Sequence, residues 1–168
     1  MKLVPLFEMV YRYVERHSVS LKGPLGTDST AWMFREGTIE GDRVRGGHKA
    51  MNKSVVRSDN VVTPDIRGIL TTDDGAEVYY EIRGYGIDID GFRHFKGSMY
   101  FLTDAEKYAW MNTVVGAIEG RYTRDPEGYL IGTFNVYECV AESDKVTPRL
   151  DYHEGLVPTP RTQPVFGR

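Results

Sequence analysis

Apolar and polar side chains alternate along most of the chain, and this pattern predicts β-strands. In residues 2–16, Leu3, Phe7 and Met9 are set against Glu8 and Arg12, which predicts a long first strand. The same pattern predicts strands at 30–34, 37–46, 61–72, 76–84, 98–102, 113–123 and 128–141. Residues 46–60 are polar and irregular, which predicts a longer loop or a broken strand. Many strands with short connections predict an antiparallel sheet large enough to curl into a barrel.

The clearest strand pair is a hairpin formed by residues 61–72 and 76–84. Asp73-Asp74-Gly75 lies between them as a three-residue loop, with glycine where the left-handed conformation is needed. That loop length predicts the register Thr71 opposite Glu77, Ile69 opposite Tyr79, Arg67 opposite Glu81, and Asp65 opposite Arg83. The hairpin then has one charged face and one apolar face, the apolar one formed by Val62, Pro64, Ile66, Leu70, Val78, Tyr80 and Ile82.

A short helix and a tail complete the predicted organisation. Thr103 to Glu106 has the form of a capping box, which predicts one or two helical turns through Tyr108-Ala109-Trp110. From Ser143 the alternation disappears and four of the eight prolines follow. We therefore predict an all-β, antiparallel barrel domain over residues 1–142 with one short helix, and an extended Pro-rich C-terminal tail over residues 143–168.

Composition limits the classes of partner and compartment. Eleven Tyr, seven Phe and 18 Gly favour strands and tight turns over helices. The net charge of −3 predicts no general attraction to nucleic acid or to an anionic membrane. No apolar run approaches the roughly 20 residues of a membrane helix, and we find no signal peptide. The expected compartment is the cytoplasm, and Cys139, the only cysteine, has no partner for an intrachain disulfide.

The absence of familiar motifs limits the chemistry. The phosphate-binding loop, the dinucleotide-binding glycine fingerprint and the Gly-x-Ser-x-Gly elbow are all missing. The four histidines are His17, His48, His94 and His153, and no two of them stand at metal-ligand spacing. We therefore expect no metal and no cofactor, and any catalysis should use carboxylate, arginine, tyrosine and asparagine side chains.

The charged face of the hairpin is the first candidate site. It carries Asp65, Arg67, Tyr79, Glu81 and Arg83. In solvent these groups would form a salt-bridge ladder of small energetic weight. In a barrel lumen they would form a desolvated cluster in which arginine binds an anionic oxygen and a carboxylate or tyrosine transfers a proton.

A second candidate is the run from Tyr108 through Trp110 to Asn112. The two aromatic rings suit packing at the barrel mouth, and Asn112 either donates to a substrate carbonyl or caps a loop. Arg57 supplies a further polar group in a segment that also fits a plain turn. His94 is an outside candidate for a general base in a loop.

The motifs together resemble one family. Glu36-Gly37-Thr38-Ile39-Glu40-Gly41 followed by Arg45-Gly46 is similar to the Gly-Gly-Thr-Phe-Glu-Gly signature of the domain of unknown function 3237 family. Further matches follow in order at 65–67, at 72–76 with Tyr79, Arg83 and Gly84, and at 108–112, so the likeness spans about residues 1–141. The resemblance implies a calycin-like barrel and favours a lumen-facing orientation for the charged face. Many members carry an Asp-Trp pair where this chain has Asn52-Lys53.

Three functions remain open from the sequence. The first is a cofactor-independent isomerase, cyclase or lyase acting on a small, partly hydrophobic oxygenated molecule such as an aromatic, polyketide or terpenoid. Asp65, Arg67, Tyr79 and Glu81 would be catalytic, and Arg83, Arg57, Trp110, Asn112 and Tyr108 would bind the substrate. The second is a carrier or sensor barrel without turnover, and the third is a structural subunit with a filled barrel. The apolar groups of the tail make a homodimer plausible.

Overall fold

The chain folds into a closed antiparallel barrel, seen in a computed structural model that describes residues 1–20 and 27–141. Its strands are β1 (Lys2–Ser20), β2 (Thr27–Glu40), β3 (Arg45–Arg57), β4 (Val62–Thr63), β5 (Asp65–Thr72), β6 (Glu77–Ile89), β7 (Phe92–Leu102), β8 (Val115–Arg124) and β9 (Leu130–Val140). The ring closes because β1 pairs with both β2 and β9, while β3 and β6 are bridged by β4 and β5. The predicted antiparallel barrel is confirmed, and the predicted tail lies outside the described residues.

The hairpin register is confirmed at every predicted pair. Thr71 faces Glu77, Ile69 faces Tyr79, Arg67 faces Glu81, and Asp65 faces Arg83. Gly75 has a φ of 85°, a left-handed conformation that glycine adopts without steric cost. The three-residue loop therefore fixes which side chains share a face.

The strand predictions between residues 27 and 60 need correction. The segments predicted at 30–34 and 37–46 are one continuous strand, β2, which ends at Glu40. The predicted loop at 46–60 is wrong, because residues 45–57 form β3, paired with β2 and β5 along most of its length. The inward positions of β3 include His48, Asn52 and Ser54, all buried. Polar side chains on the core face remove the hydrophobic alternation by which strands are recognised.

The strand predicted at 76–84 is also longer than expected. β6 continues to Ile89 and turns directly into β7. Asp90 and Gly91 both have positive φ, 51° and 79°, which is the backbone required at both central positions of a two-residue hairpin turn. The Gly and Asp residues between 84 and 91 therefore belong to a long strand and its turn.

A 3₁₀ helix, Glu106–Thr113, covers the end of the barrel at which β1 begins. Met111 is fully buried, and Tyr108 donates a hydrogen bond to Asp74 Oδ1 at 2.9 Å. The predicted capping box is wrong, because the helix begins only at Glu106, with Ala105 in the cap position and no side-chain cap. Thr103 Oγ1 instead accepts from the Ala105 amide at 3.1 Å and donates to the Glu77 carbonyl at 2.7 Å.

Gly132 makes room for the aromatic rings in the middle of the barrel. A Cβ at this position would lie 2.5 Å from Tyr11 Cζ and 2.5 Å from Phe134 Cε2. The two rings stack on each other with centroids 5.2 Å apart. A side chain at residue 132 must therefore displace a packed aromatic pair.

We expect Gly132→Ala to lower the free energy of unfolding by about 1–3 kcal/mol, because overpacking forces rigid rings out of their positions. Urea denaturation measures this loss. Gly47→Ala is the matched control, since a Cβ there has its nearest neighbour at 3.8 Å. Equal stability of the two variants would contradict the assigned role of Gly132.

Candidate functional site in the barrel lumen

The charged face of the β5–β6 hairpin lies on the outside of the barrel. The exposed fractions of the Asp65, Arg67 and Arg83 side chains are 32%, 51% and 44%. Arg83 Nη1 lies 2.7 Å and Arg67 Nε 3.3 Å from Asp65 Oδ1, while Tyr79 donates to Glu81 Oε1 at 2.7 Å. The lumen-facing orientation is therefore wrong, and the apolar face of the hairpin points inward. The catalytic roles predicted for these residues remain predictions that no observation here tests.

The other residues predicted to belong to the site lie on the barrel surface or at the end of the barrel that the 3₁₀ helix covers. Asn112 caps a loop, accepting from the Thr103 amide at 2.8 Å and donating to its carbonyl at 2.9 Å. Trp110 packs under the Arg43 guanidinium, whose Cζ lies 3.5 Å from the ring centroid. Arg57 is exposed at the end of β3 and pairs with Asp59 at 2.5 Å. His94 is exposed on the strand β7 rather than in a loop.

The lumen instead contains a polar cluster centred on Arg35. The side chain of Arg35 is 2% exposed, and its Cζ lies 3.8 Å from the centroid of the Tyr11 ring. Nη2 makes a long hydrogen bond of 3.5 Å to the Tyr80 hydroxyl, whereas Nε and Nη1 have no hydrogen-bond partner. No carboxylate appears among the buried polar side chains of the described residues. Arg35 is thus a buried cation without a counterion from this part of the chain.

Electrostatics keep Arg35 charged despite its burial. Burial lowers the pKa of the guanidinium, but the surrounding tyrosine hydroxyls, first of all that of Tyr11, raise it by more. Burial in turn raises the pKa of Tyr11 and of Tyr122 well above the ordinary tyrosine value. At neutral pH the cluster therefore holds one positive charge among neutral phenols.

Tyr80 connects Arg35 to His48. The Tyr80 hydroxyl lies 2.8 Å from His48 Nδ1 and accepts a long hydrogen bond from Arg35 Nη2. Burial, and then the charge of Arg35, lower the pKa of His48 to about 3, while a hydrogen bond to the Val10 backbone raises it. At neutral pH the imidazole of His48 is consequently uncharged and shares a hydrogen bond with Tyr80.

Asn52 and Tyr13 form the other side of the cluster. Asn52 is 2% exposed, and its Nδ2 donates to the Tyr13 hydroxyl at 2.9 Å. Asn52 Oδ1 is buried without a hydrogen-bond partner. Tyr11 donates to Tyr122 at 2.7 Å, and the rings of Tyr13 and Tyr122 stack with centroids 6.1 Å apart. Asn52 therefore brings an unpartnered acceptor to the inward face, two positions along β3 from the residue that faces Arg35.

A cavity of about 70 Å³ adjoins the Asn52 side of this cluster, and Arg35, His48 and Tyr80 are not among its lining residues. Tyr13, Asn52 and Tyr122 contribute its polar wall. The opposing wall is apolar and is formed by Ala31, Met33, Val56, Val62, Pro64, Phe95 and Leu130. Arg16 and Arg93 also line it, and Arg93 is held by Asp88 through two hydrogen bonds of 2.7 and 2.8 Å. The cavity thus suits a small molecule with one oxygenated end and an apolar body.

Sequence patterns could not reveal this cluster. Arg35 follows the hydrophobic Phe34, yet Phe34 is 41% exposed and Arg35 is buried. His48 and Asn52 lie in the segment whose polarity argued against a strand. One signal was available in retrospect, since His48, Asn52 and Ser54 stand at even spacing as inward residues of one strand require.

Within residues 1–20 and 27–141 no three His, Cys, Asp or Glu side chains come together to hold a metal ion. The same part of the chain contains no helix of the length and apolarity needed to cross a membrane.

Comparisons with known proteins show the fold and the family. A β-barrel-like protein from Acinetobacter baumannii AYE is similar with a TM-score of 0.65 and 23% identity, over 80% of this chain and 95% of that chain. A protein of unknown function from Clostridium acetobutylicum ATCC 824 is similar with a TM-score of 0.69 and 20% identity, over 83% of this chain and 100% of that chain. A conserved protein of unknown function from Rhodopseudomonas palustris is similar with a TM-score of 0.63 and 18% identity, over 80% of this chain and 97% of that chain. No curated protein matches the chain. The family model described as protein of unknown function (DUF3237) matches residues 1–139, and the chain therefore belongs to the DUF3237 family.

Proposed function

We propose that this protein is a cofactor-independent enzyme that binds a small, partly hydrophobic oxygenated molecule in the barrel and catalyses proton transfer on it. The observation that carries the proposal is Arg35, a fully buried guanidinium with two nitrogen atoms free of hydrogen-bond partners. Where such a reaction removes a proton beside a carbonyl group, the carbonyl oxygen gains negative charge. Arg35 would stabilise that charge.

A buried charge without a partner is costly, and proteins keep such groups where they act on a ligand. An oxyanion placed against Arg35 would supply the missing counterion and the missing acceptors. The low dielectric constant of the lumen would strengthen this attraction relative to water. The cavity holds only a few heavy atoms, so a larger aromatic, polyketide or terpenoid skeleton would extend past the apolar wall towards Arg16.

Tyr80 and His48 supply the proton-transfer groups of the proposal. Tyr80 lies between Arg35 and His48, with oxygen-to-nitrogen distances of 3.5 and 2.8 Å. A proton taken from the ligand by the Tyr80 oxygen can be balanced by passage of the Tyr80 hydrogen to His48 Nδ1. The ligand oxyanion would then remain on Arg35 while the ring is protonated.

A second candidate function is a carrier or sensor that binds the same ligand without turnover. Its support is the absence of Asp and Glu among the buried polar side chains of the described residues. His48 is the strongest base at the cluster, and its pKa of about 3 makes it a weak one. The cavity, lined by Asn52 with its unpartnered Oδ1, counts against the third hypothesis, a structural subunit with a filled barrel.

Hydrogen–deuterium exchange of hydroxyacetone in D₂O, followed by NMR, tests the proposal. We expect the wild-type protein to accelerate exchange at the carbon atoms beside the carbonyl, and Arg35→Met to remove the acceleration. Arg67→Met tests the competing outer-face assignment, which predicts that this variant loses the activity instead. Arg35-dependent binding of the probe without exchange would favour the carrier, and no Arg35-dependent effect at all would overturn the lumen as the site.

A further inference from the structure

The cavity at the Asn52 side of the lumen carries polar groups that the proposed proton transfer does not use. Asn52 lines it, is 2% exposed, and has an Oδ1 without a hydrogen-bond partner. The two tyrosine hydroxyls of the same wall are already engaged. Tyr13 accepts from Asn52 Nδ2 at 2.9 Å, and Tyr122 accepts from Tyr11 at 2.7 Å. The cavity therefore has a buried acceptor that lacks a donor.

A β-bulge in β1 brings Arg16 to the same cavity. The inward residues of β1 have odd numbers from Met9 to Tyr13, and the register with β2 then shifts between Tyr13 and Glu15. After the shift Arg16 lies opposite Met33, an inward residue, and Arg16 lines the cavity. Bulges commonly redirect a side chain in this way.

Arg16 is the cation at the mouth of this cavity that is available to a ligand. It is exposed and forms no ion pair within residues 1–20 and 27–141. The other arginine of the cavity, Arg93, is held by two hydrogen bonds from its guanidinium to Asp88. No Asp or Glu side chain of the described residues lines the cavity. An anionic group at the mouth would therefore be attracted to Arg16 without an opposing carboxylate.

The strand register fixes the spacing of the two groups. Arg16 of β1 faces Met33 of β2, and Met33 faces Asn52 of β3. Two strand spacings of roughly 4.8 Å put the Cα atoms of Arg16 and Asn52 about 10 Å apart. All three residues line one cavity, so a ligand that reaches from Asn52 to Arg16 lies across Met33.

The volume of the cavity, about 70 Å³, limits the ligand to a narrow chain. A water-sized group needs roughly 10–15 Å³ of such a volume, so the cavity holds about five non-hydrogen atoms. Met33, Val62 and Phe95 offer no hydrogen bonds from their side chains, which favours an aliphatic chain between the two polar ends. An ammonium group beside Asn52 would be buried without a counterion, so the donor should be a neutral hydroxyl group.

We propose that this cavity binds a short ω-hydroxy carboxylate with about three or four methylene groups between its hydroxyl and its carboxylate. The hydroxyl group donates to Asn52 Oδ1, and the carboxylate pairs with Arg16 at the mouth. The site does not include Arg35. It therefore goes beyond the proposed function and does not depend on it.

Pentanoate, which has a methyl group in place of the hydroxyl group of 4-hydroxybutyrate, tests the role of Asn52. Pentanoate would leave Oδ1 buried and unpaired, and sites that hydrogen bond a hydroxyl group discriminate against the analogue that lacks it. We expect the wild-type protein to bind 4-hydroxybutyrate about tenfold more tightly than pentanoate. Asn52→Leu should reverse this preference, because leucine is similar in size and packs against the methyl group.

Titration of the full-length protein with both acids, followed by ¹H–¹⁵N NMR, measures the dissociation constants. Arg16→Met should weaken the binding of both acids about threefold to fivefold and keep the preference for the hydroxyl group. Lys53→Leu is the matched control for both variants, because Lys53 follows Asn52 in β3, is exposed, and carries the same charge as Arg16. It should bind as the wild type does. Asn52→Ala, which should lose the preference, is used if Asn52→Leu does not fold.

Several outcomes would overturn the site. A wild-type protein without a preference for 4-hydroxybutyrate, or a preference that persists in Asn52→Leu, would contradict the role of Asn52. Equal effects of Arg16→Met and Lys53→Leu would contradict the carboxylate site, and tighter binding of 4-aminobutyrate would contradict the neutral donor. Failure of every acid to bind would overturn the whole inference. The proposed function fails or stands separately, because Arg35→Met should remove the exchange of hydroxyacetone and leave the preference for 4-hydroxybutyrate unchanged.

Discussion

Arg35→Met is expected to raise the free energy of unfolding by about 1–4 kcal/mol and to reduce oxyanion binding by about a hundredfold or more. Methionine fills a similar volume without the desolvation cost of a buried charge. The loss of the contact with Tyr11 and of the long hydrogen bond to Tyr80 offsets only part of this gain. Urea denaturation at pH 7 and anion titration by NMR measure the two effects.

The proposal predicts that Arg35→Met raises the stability of the protein and lowers its affinity for the oxyanion. A residue retained for function at the expense of stability gives a more stable and less active variant when it is removed. Arg67→Met on the outer face should change neither quantity by a comparable amount, because Arg67 is half-exposed in an ion pair with Asp65. A marked loss of stability in Arg35→Met would mean that the guanidinium is a structural group held by the tyrosines, and would contradict the assignment.

Acid should destabilise the protein through His48. Burial and the charge of Arg35 lower the pKa of His48 to about 3 in the folded protein, against about 6.5 for an unfolded histidine. Between these two values the unfolded chain binds more protons than the folded one, so stability falls as the pH falls. The loss from this group is on the order of 4 kcal/mol between pH 6.5 and pH 3.5 and is absent above pH 6.5.

His48→Gln isolates that contribution from the carboxylates. Glutamine cannot titrate, yet its side-chain oxygen can accept the hydrogen of Tyr80. The variant should therefore show a smaller loss of unfolding free energy between pH 6.5 and pH 3.5 than the wild type. His94→Gln, a change at an exposed position, should retain the wild-type slope. Identical slopes for wild type and His48→Gln would show that His48 is not buried as a neutral ring.

The sequence determined the class of the fold and the geometry of one hairpin. Alternation and turn chemistry are local properties, so they predicted an antiparallel barrel and the pairs from Thr71–Glu77 to Asp65–Arg83 correctly. Local pattern also separated the two faces of that hairpin. The resemblance to the family then favoured the wrong face for the lumen, although burial of the apolar face is the ordinary outcome.

Only the tertiary structure decided what lies inside the barrel. Arg35, His48 and Asn52 reach the lumen because the ring of strand pairings fixes which of two alternating sets faces inward. In β2 every second side chain points into the barrel, so Arg35 is buried together with Met33 and Ile39, whereas Phe34 lies outside. The hydrophobicity of one residue cannot predict which way its side chain points, because the strand register fixes the orientation of all side chains of a strand at once. A sequence pattern finds the barrel and misses its candidate site because polar side chains in a lumen remove the alternation by which a strand is recognised.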